Sequence, residues 1–209
     1  MRKRVLALAV GVLALAASLP ASAIIGFNDL FDPSEWATTV LGNLIGGSPN
    51  PGTTSMSNSD LSITGGDSIS PDPANDAPGC AGGIFGFITS PCEIRITTTG
   101  FPTPFLFSFR WDYVTSDTAG PLGDLFGMLV NDVRTQLSDP GGPLNQSGLI
   151  EVIANTSFGW FINCTDCIGG PATARISAFQ AIAQVPEPGL LALLGVGLAG
   201  LCVTLRRVA

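Results

Sequence analysis

An all-β domain, an antiparallel β-sandwich of jelly-roll-like type, is the fold predicted for residues 24–184, and three observations predict it. Phe105, Phe107, Phe109, Trp111 and Tyr113 alternate with Ser108, Arg110 and Asp112, the period-two pattern of a strand with one buried face. Segments of similar character recur around it, separated by turn chemistry such as Ser138-Asp139-Pro140-Gly141-Gly142; many short strands with regular breaks mark a sandwich. Finally, 26 Gly and 16 Pro among 209 residues disfavour long amphipathic helices between the two ends.

At the N-terminus, Arg2, Lys3 and Arg4 precede an apolar stretch at 5–18, and Ala21-Ser22-Ala23 offers small residues for cleavage. These are the three parts of a signal peptide, so residues 1–23 are expected to be removed by signal peptidase. An uncleaved anchor is the alternative, but the run is short for a span of ~20 residues. Asp32-Pro33-Ser34-Glu35-Trp36 reads as a capped helical turn, with Trp36 plugging one end of the sandwich. Strands are expected at 60–64, 84–89, 93–99, 105–114, 126–131, 133–138, 149–154, 157–163 and 173–179. Burying each aromatic of the 105–114 strand is worth about 1.5–3 kcal/mol, so this strand is expected to seed the core. Asn131-Asp132, a pair suited to positive φ, is placed at a hairpin turn. Residues 46–54 and 68–83 lack periodicity and are read as loops.

Charge narrows the function. Five of the 9 basic residues lie at the two ends, which leaves Arg95, Arg110, Arg134 and Arg175 against 15 acidic residues in 24–184, a net of −11. Such a surface repels phosphate backbones, so no nucleic-acid partner is expected. There is no histidine, which removes Ser-His-Asp and Cys-His catalysis and His-ligated zinc. Glu35, Glu93 and Glu151, the glutamates of 24–184, fall in a turn and two strands. Nothing brings two of them to the ~5–9.5 Å separation of a glycosidase pair. No enzymatic activity is expected.

Four cysteines, Cys80, Cys92, Cys164 and Cys167, belong to this domain, and Cys202 lies in the tail. An exported chain favours structural disulfides. Three pairings are open; the simplest joins Cys80 to Cys92 and Cys164 to Cys167. Asp112, Asp117, Asp124, Asp132, Asp139 and Asp166 lie in or beside turns, where Asp is a default residue. Calcium is the one cofactor that such carboxylates suggest, with Asp117 and Asp166 as candidate ligands, although their spacing matches no EF-hand loop. Alternation across 158–162 turns either Trp160 or Phe161 outward, a candidate platform for a sugar ring.

Residues 185–209 form a separate tail. Pro186-Glu187-Pro188 is an extended strut, because both prolines fix φ and lack an amide proton. Residues 189–205 are uncharged and apolar. As a helix at ~1.5 Å per residue they span ~25 Å, the short end for a bilayer. Arg206 and Arg207 then act as a basic stop on the cytoplasmic side. This order of motif, helix and basic end resembles the PEP-CTERM family of exported bacterial proteins. The resemblance implies recognition by an exosortase, which cuts near the motif, so that membrane anchoring is transient and the domain ends on the outer surface or outside the cell. It further implies association with extracellular polysaccharide. Residues 105–180 also resemble a domain recurrent among such proteins, through Trp111-Asp112-Tyr113-Val114 and Phe158-Gly159-Trp160, which implies a sandwich and brings no catalytic residues. The expected function is that of a non-enzymatic surface or matrix protein; the alternative is a carbohydrate-binding module, calcium-stabilised or not.

Overall fold

A computed structural model describes residues 23–41, 52–66, 92–164 and 170–184. The signal peptide to residue 22, the expected strand at 84–89, Cys80, Asp166, Cys167 and the tail from residue 185 lie outside the described residues. Among the described residues, no helix is long and apolar enough to cross a membrane.

Residues 21–184 hold one compact unit, and it is the expected two-sheet antiparallel sandwich. Its strands are β1 (Ala23–Ile25), β2 (Ala37–Leu41), β3 (Thr53–Met56), β4 (Leu61–Thr64), β5 (Cys92–Thr99) and β6 (Phe105–Thr115), followed by β7 (Asp124–Val130), β8 (Val133–Gln136), β9 (Asn145–Ala154), β10 (Ser157–Cys164) and β11 (Ala172–Ala183). Sheet A runs β3-β4-β11-β6-β9, with β1 also on β11; sheet B runs β2-β5-β10-β7-β8. Every pairing is antiparallel.

Three strands escape the sequence pattern. β1 and β2 are short and mostly exposed, and β3 (Thr-Thr-Ser-Met) lies partly in an expected loop. None carries enough apolar alternation to announce itself; each is made by the neighbour that pairs with it. Ala23, the expected last residue of the leader, opens β1 opposite Ile182. β9 begins at Asn145, four residues earlier than expected, because Asn145–Gly148 pair with Trp111–Val114 although they are polar.

The aromatic strand forms the middle of the core as expected. Its inward rings meet those of β10: Phe107 stacks on Phe158 at 4.3 Å, and Phe109 meets Trp160 edge-on at 5.2 Å. The turn around Asp32 delivers Trp36 beneath the same cluster, stacked on Trp160 at 5.2 Å. Asp32 accepts the Ser34 amide at 3.0 Å and caps the turn, and that bond, with the Ser34 hydroxyl, holds its carboxyl below the usual range. In β11 the register shifts between Ser177 and Gln180, with Ala178 at φ 49°. That bulge resets the alternation, so Phe179 faces inward and stacks on Phe27 at 4.6 Å. Asn131 and Asp132 sit at φ 51° and 65°, the expected hairpin turn between β7 and β8.

Candidate functional site

A shallow cleft of about 340 Å³ opens on the outer face of sheet A, lined by Asp112, Tyr113, Val114, Asn145, Gln146, Ser147, Thr173 and Arg175. Register builds it. β6 is flanked by β9 and β11, so Val114 stands between Asn145 and Thr173, and Asp112 between Ser147 and Arg175. The same alternation that sends Trp111 and Tyr113 into the core sends Asp112 and Val114 outward.

The polar groups are fixed in place. Arg110 makes a two-pronged contact with Asp112, Nη2 to Oδ1 at 2.8 Å and Nε to Oδ2 at 3.1 Å. This hydrogen bonding raises the Arg110 guanidinium and lowers the Asp112 carboxyl from their ordinary pKa values. Arg175 donates to Asp60 at 2.8 Å, and the Thr173 and Thr64 hydroxyls are 3.1 Å apart. At the rim, Gln146 accepts the Asp139 amide at 2.6 Å and donates to the Asp139 carbonyl at 2.8 Å, which pins the loop between β8 and β9. The cleft thus offers carboxylate acceptors, guanidinium donors, amides and hydroxyls on a rigid sheet, a set suited to a polyhydroxylated ligand.

The aromatic platform expected at Trp160 or Phe161 is not there. Trp160 is wholly buried. Phe161 does face outward, but only 4% of it is exposed, because the Arg134 guanidinium lies 4.4 Å from its ring centre. The ring rests over Gly127, its cross-strand neighbour; a Cβ at Gly127 would come within 2.5 Å of it.

Asp117 and Asp124 are both buried at the β6–β7 end. The Thr115 hydroxyl joins them, donating to Asp124 at 3.1 Å and accepting the Asp117 amide at 3.0 Å. The Ala119 amide donates to Asp117 at 2.5 Å, and only a glycine fits at 123, where a Cβ would lie 2.3 Å from the Asp117 carboxylate. Tyr113 donates to the Asp124 carbonyl at 2.6 Å. Burial, with the charge of Asp124, pushes its phenol pKa well above the ordinary value. Of the two candidate calcium ligands, Asp117 is therefore engaged in shaping its loop, and Asp166 lies outside the described residues. No group of three or more potential metal ligands occurs among the described residues.

Glu93 and Glu151 point from opposite faces, on sheet B and sheet A, and Glu35 lies in the turn before β2. Cys164 stands directly opposite Cys92 in the β5–β10 ladder, while Cys80 and Cys167 lie outside the described residues.

Sequence reasoning missed one constellation, on sheet B. Arg95 and Arg134 both pair with Glu93, only 3% of which is exposed, and Asn163 donates to the same carboxylate at 3.3 Å. The Glu93-x-Arg95 spacing places two side chains on one face of a strand; Arg134 arrives only through the fold.

The fold is thus that of a two-sheet antiparallel β-sandwich with a polar cleft on the outer face of sheet A. Residues 184–207 match the family description "PEP-CTERM protein-sorting motif", so the tail carries that sorting signal. No curated protein matches the chain in sequence. Among solved structures, the family 11 carbohydrate-binding module of the cellulosomal cellulase Lic26A-Cel5E of Clostridium thermocellum is 7% identical, with 83% of this chain and 100% of that one covered and a TM-score of 0.37. A promiscuous carbohydrate-binding module of the β-sandwich superfamily is 8% identical over 78% of this chain and 63% of that one, TM-score 0.36. A variant of a family 29 carbohydrate-binding module is 10% identical over 74% and 99%, TM-score 0.31. None of these likenesses carries an assignment; the surface of the sandwich has to supply it.

Proposed function

We propose that this is a non-enzymatic exported protein, delivered by exosortase sorting and retained on extracellular polysaccharide through the outer face of sheet A. The sorting motif at 184–207 supports the address. The cleft between Asp112, Asn145, Thr173 and Arg175 supports the attachment.

The chemistry of the cleft sets the strength of binding. With no exposed ring among the described residues that line the cleft, a sugar there is held by hydrogen bonds worth about 0.5–1.5 kcal/mol each. Four of them total about 2–6 kcal/mol before the cost of association is subtracted, so a single cleft binds weakly, with a dissociation constant of about 1 mM or higher. Such affinity suits a protein displayed in many copies against a polymer, where avidity multiplies weak contacts. Export also places the cysteines in an oxidising compartment. The Cα separation of directly opposed strand residues falls inside the disulfide window, so Cys92–Cys164 is the bridge this reading favours, leaving Cys80 and Cys167.

Two measurements test it. Mass spectrometry of native protein from medium and envelope is expected to find a form starting near Ile24 and ending near Pro186; retention of 190–209 would make the tail a permanent anchor. Affinity electrophoresis in gels containing the producing cell's own neutral polysaccharide is expected to retard the protein, and the Asp112→Ala/Arg175→Ala variant to migrate freely. Equal migration of the two proteins sinks the cleft as the attachment site.

A further inference from the structure

The outer face of sheet B has a different electrostatic design from that of sheet A. Arg110 and Arg175 on sheet A each have their own aspartate, Asp112 and Asp60. On sheet B, Arg95 and Arg134 share the single carboxylate of Glu93. Outward positions of the described β2, β5, β7, β8 and β10 hold no other acidic residue. Over these described strands the face therefore carries one net positive charge, on a domain that is otherwise strongly acidic, with Asp132 at its edge beside Ser157.

We propose that this face binds a carboxylate-bearing polysaccharide, with Arg95 and Arg134 as the receiving fork and Glu93 as the internal counter-ion that occupies part of it. Two guanidinium groups present ten N–H donors, and one carboxylate cannot occupy them all. The Arg134 side chain is still 45% exposed, so part of its fork faces water. Its stacking on Phe161 fixes the plane in advance, which lowers the entropy lost when a second anion is gripped. Partial burial also costs the guanidinium some of its proton affinity, and a further anion beside it offsets that cost. The overall acidity does not forbid such contact, since charges more than about 10 Å away are largely screened at 0.1 M salt.

This site is separate from the sheet A cleft, and the test keeps them apart. The full-length protein is titrated with polygalacturonate and, in parallel, with the same polymer fully methyl-esterified, which removes the charge and keeps the sugar backbone. Binding is expected for the carboxylate form and lost on esterification. Charge-assisted hydrogen bonds are worth about 1.5–3 kcal/mol, so Arg134→Gln should weaken it by roughly tenfold or more. Glu93→Gln, by contrast, should strengthen it, because it frees donors that an internal carboxylate now occupies; a merely structural ion pair predicts no such gain. Arg175→Ala should leave this binding unchanged. Equal affinity for the two polymers, or an unaffected Arg134→Gln with normal circular dichroism, overturns the proposal. A Glu93→Gln variant that folds and binds no better overturns the counter-ion role.

Discussion

The two outer faces of this sandwich are built from the same kind of strand and solve the problem of charge in opposite ways. On sheet A each arginine reaches an aspartate at the surface, with 53% and 44% of the Arg110 and Asp112 side chains exposed, and the polar groups stay open to solvent. On sheet B the carboxylate is sunk to 3% exposure, and two arginines and an asparagine close over it and over Phe161. The difference teaches that an ion pair's position, rather than its presence, decides whether it stabilises the fold or serves the surface. Exposed pairs contribute about 0–1 kcal/mol, whereas breaking a buried one is costly.

The largest way to break the contrast is to fill the floor under Phe161. Gly127→Val drives a side chain into the Phe161 ring and the Thr135 carbonyl, and overpacking of this kind costs about 1–3 kcal/mol or more. Ser147→Val on the open face should stay within about 0.5 kcal/mol, as denaturant melts of both variants would show. Next comes removal of one acid from each face. Glu93→Ala is expected to cost about 1–3 kcal/mol, below the fully buried case because its arginines reach water. Asp112→Ala should cost less than about 1 kcal/mol. Equal losses would erase the distinction between the faces.

Alkaline pH gives a cleaner readout beneath sheet A. Tyr113 is the single tyrosine of the chain, and its folded pKa is raised above the unfolded value near 10. The stability it contributes is complete below that value and is lost as pH rises above it. Absorbance titration should find no tyrosinate near pH 10.0 in the native protein and normal titration in denaturant. The smallest effect is at acid pH. Asp112 and Asp60 are depressed below 3.8, chiefly by hydrogen bonds from Arg110 and Ser59 respectively. Their contribution is present above that value and fades as pH falls through the lower folded one. Being exposed, the pairs should account for under about 1 kcal/mol, measured as the change in acid melting caused by Arg110→Gln.

Two covalent and ionic checks complete the picture. Non-reducing peptide maps are expected to link Cys92 to Cys164, and recovery of Cys164 joined to Cys167 would restore the pairing that spacing suggests. Because Asp117 is held by Ala119 and Thr115, chelation should leave the melting temperature unchanged; a fall on adding EDTA would assign a structural cation to this end.

Much of the fold was legible in the residues. The alternation at 105–114, the Asn131-Asp132 turn and the capped turn at Asp32 are local signals, each written within one or two periods of its element. β1, β2 and β3 were not legible, because short polar strands acquire their state from partners far along the chain. Trp160 shows the same limit at the site: alternation established that neighbouring residues face opposite ways, yet it could not say which way was inward. Nor could it say that Arg134 would roof the ring that did face out.

What the sequence determined by itself was the all-β class, the aromatic seam of the core, the acidic and histidine-free surface that argues against familiar catalysis, and the sorting tail. Each is a property of composition or of neighbours in the chain. What only the tertiary structure decided was which outward side chains meet: Asp112 with Arg175 across β6 and β11, and Glu93 with Arg134 across sheet B. The physical reason is register. A strand's alternation has period two and is written locally, but the alignment of one strand on the next is set by burial of the whole sheet, and a one-residue slip would turn every polar partner to the other face.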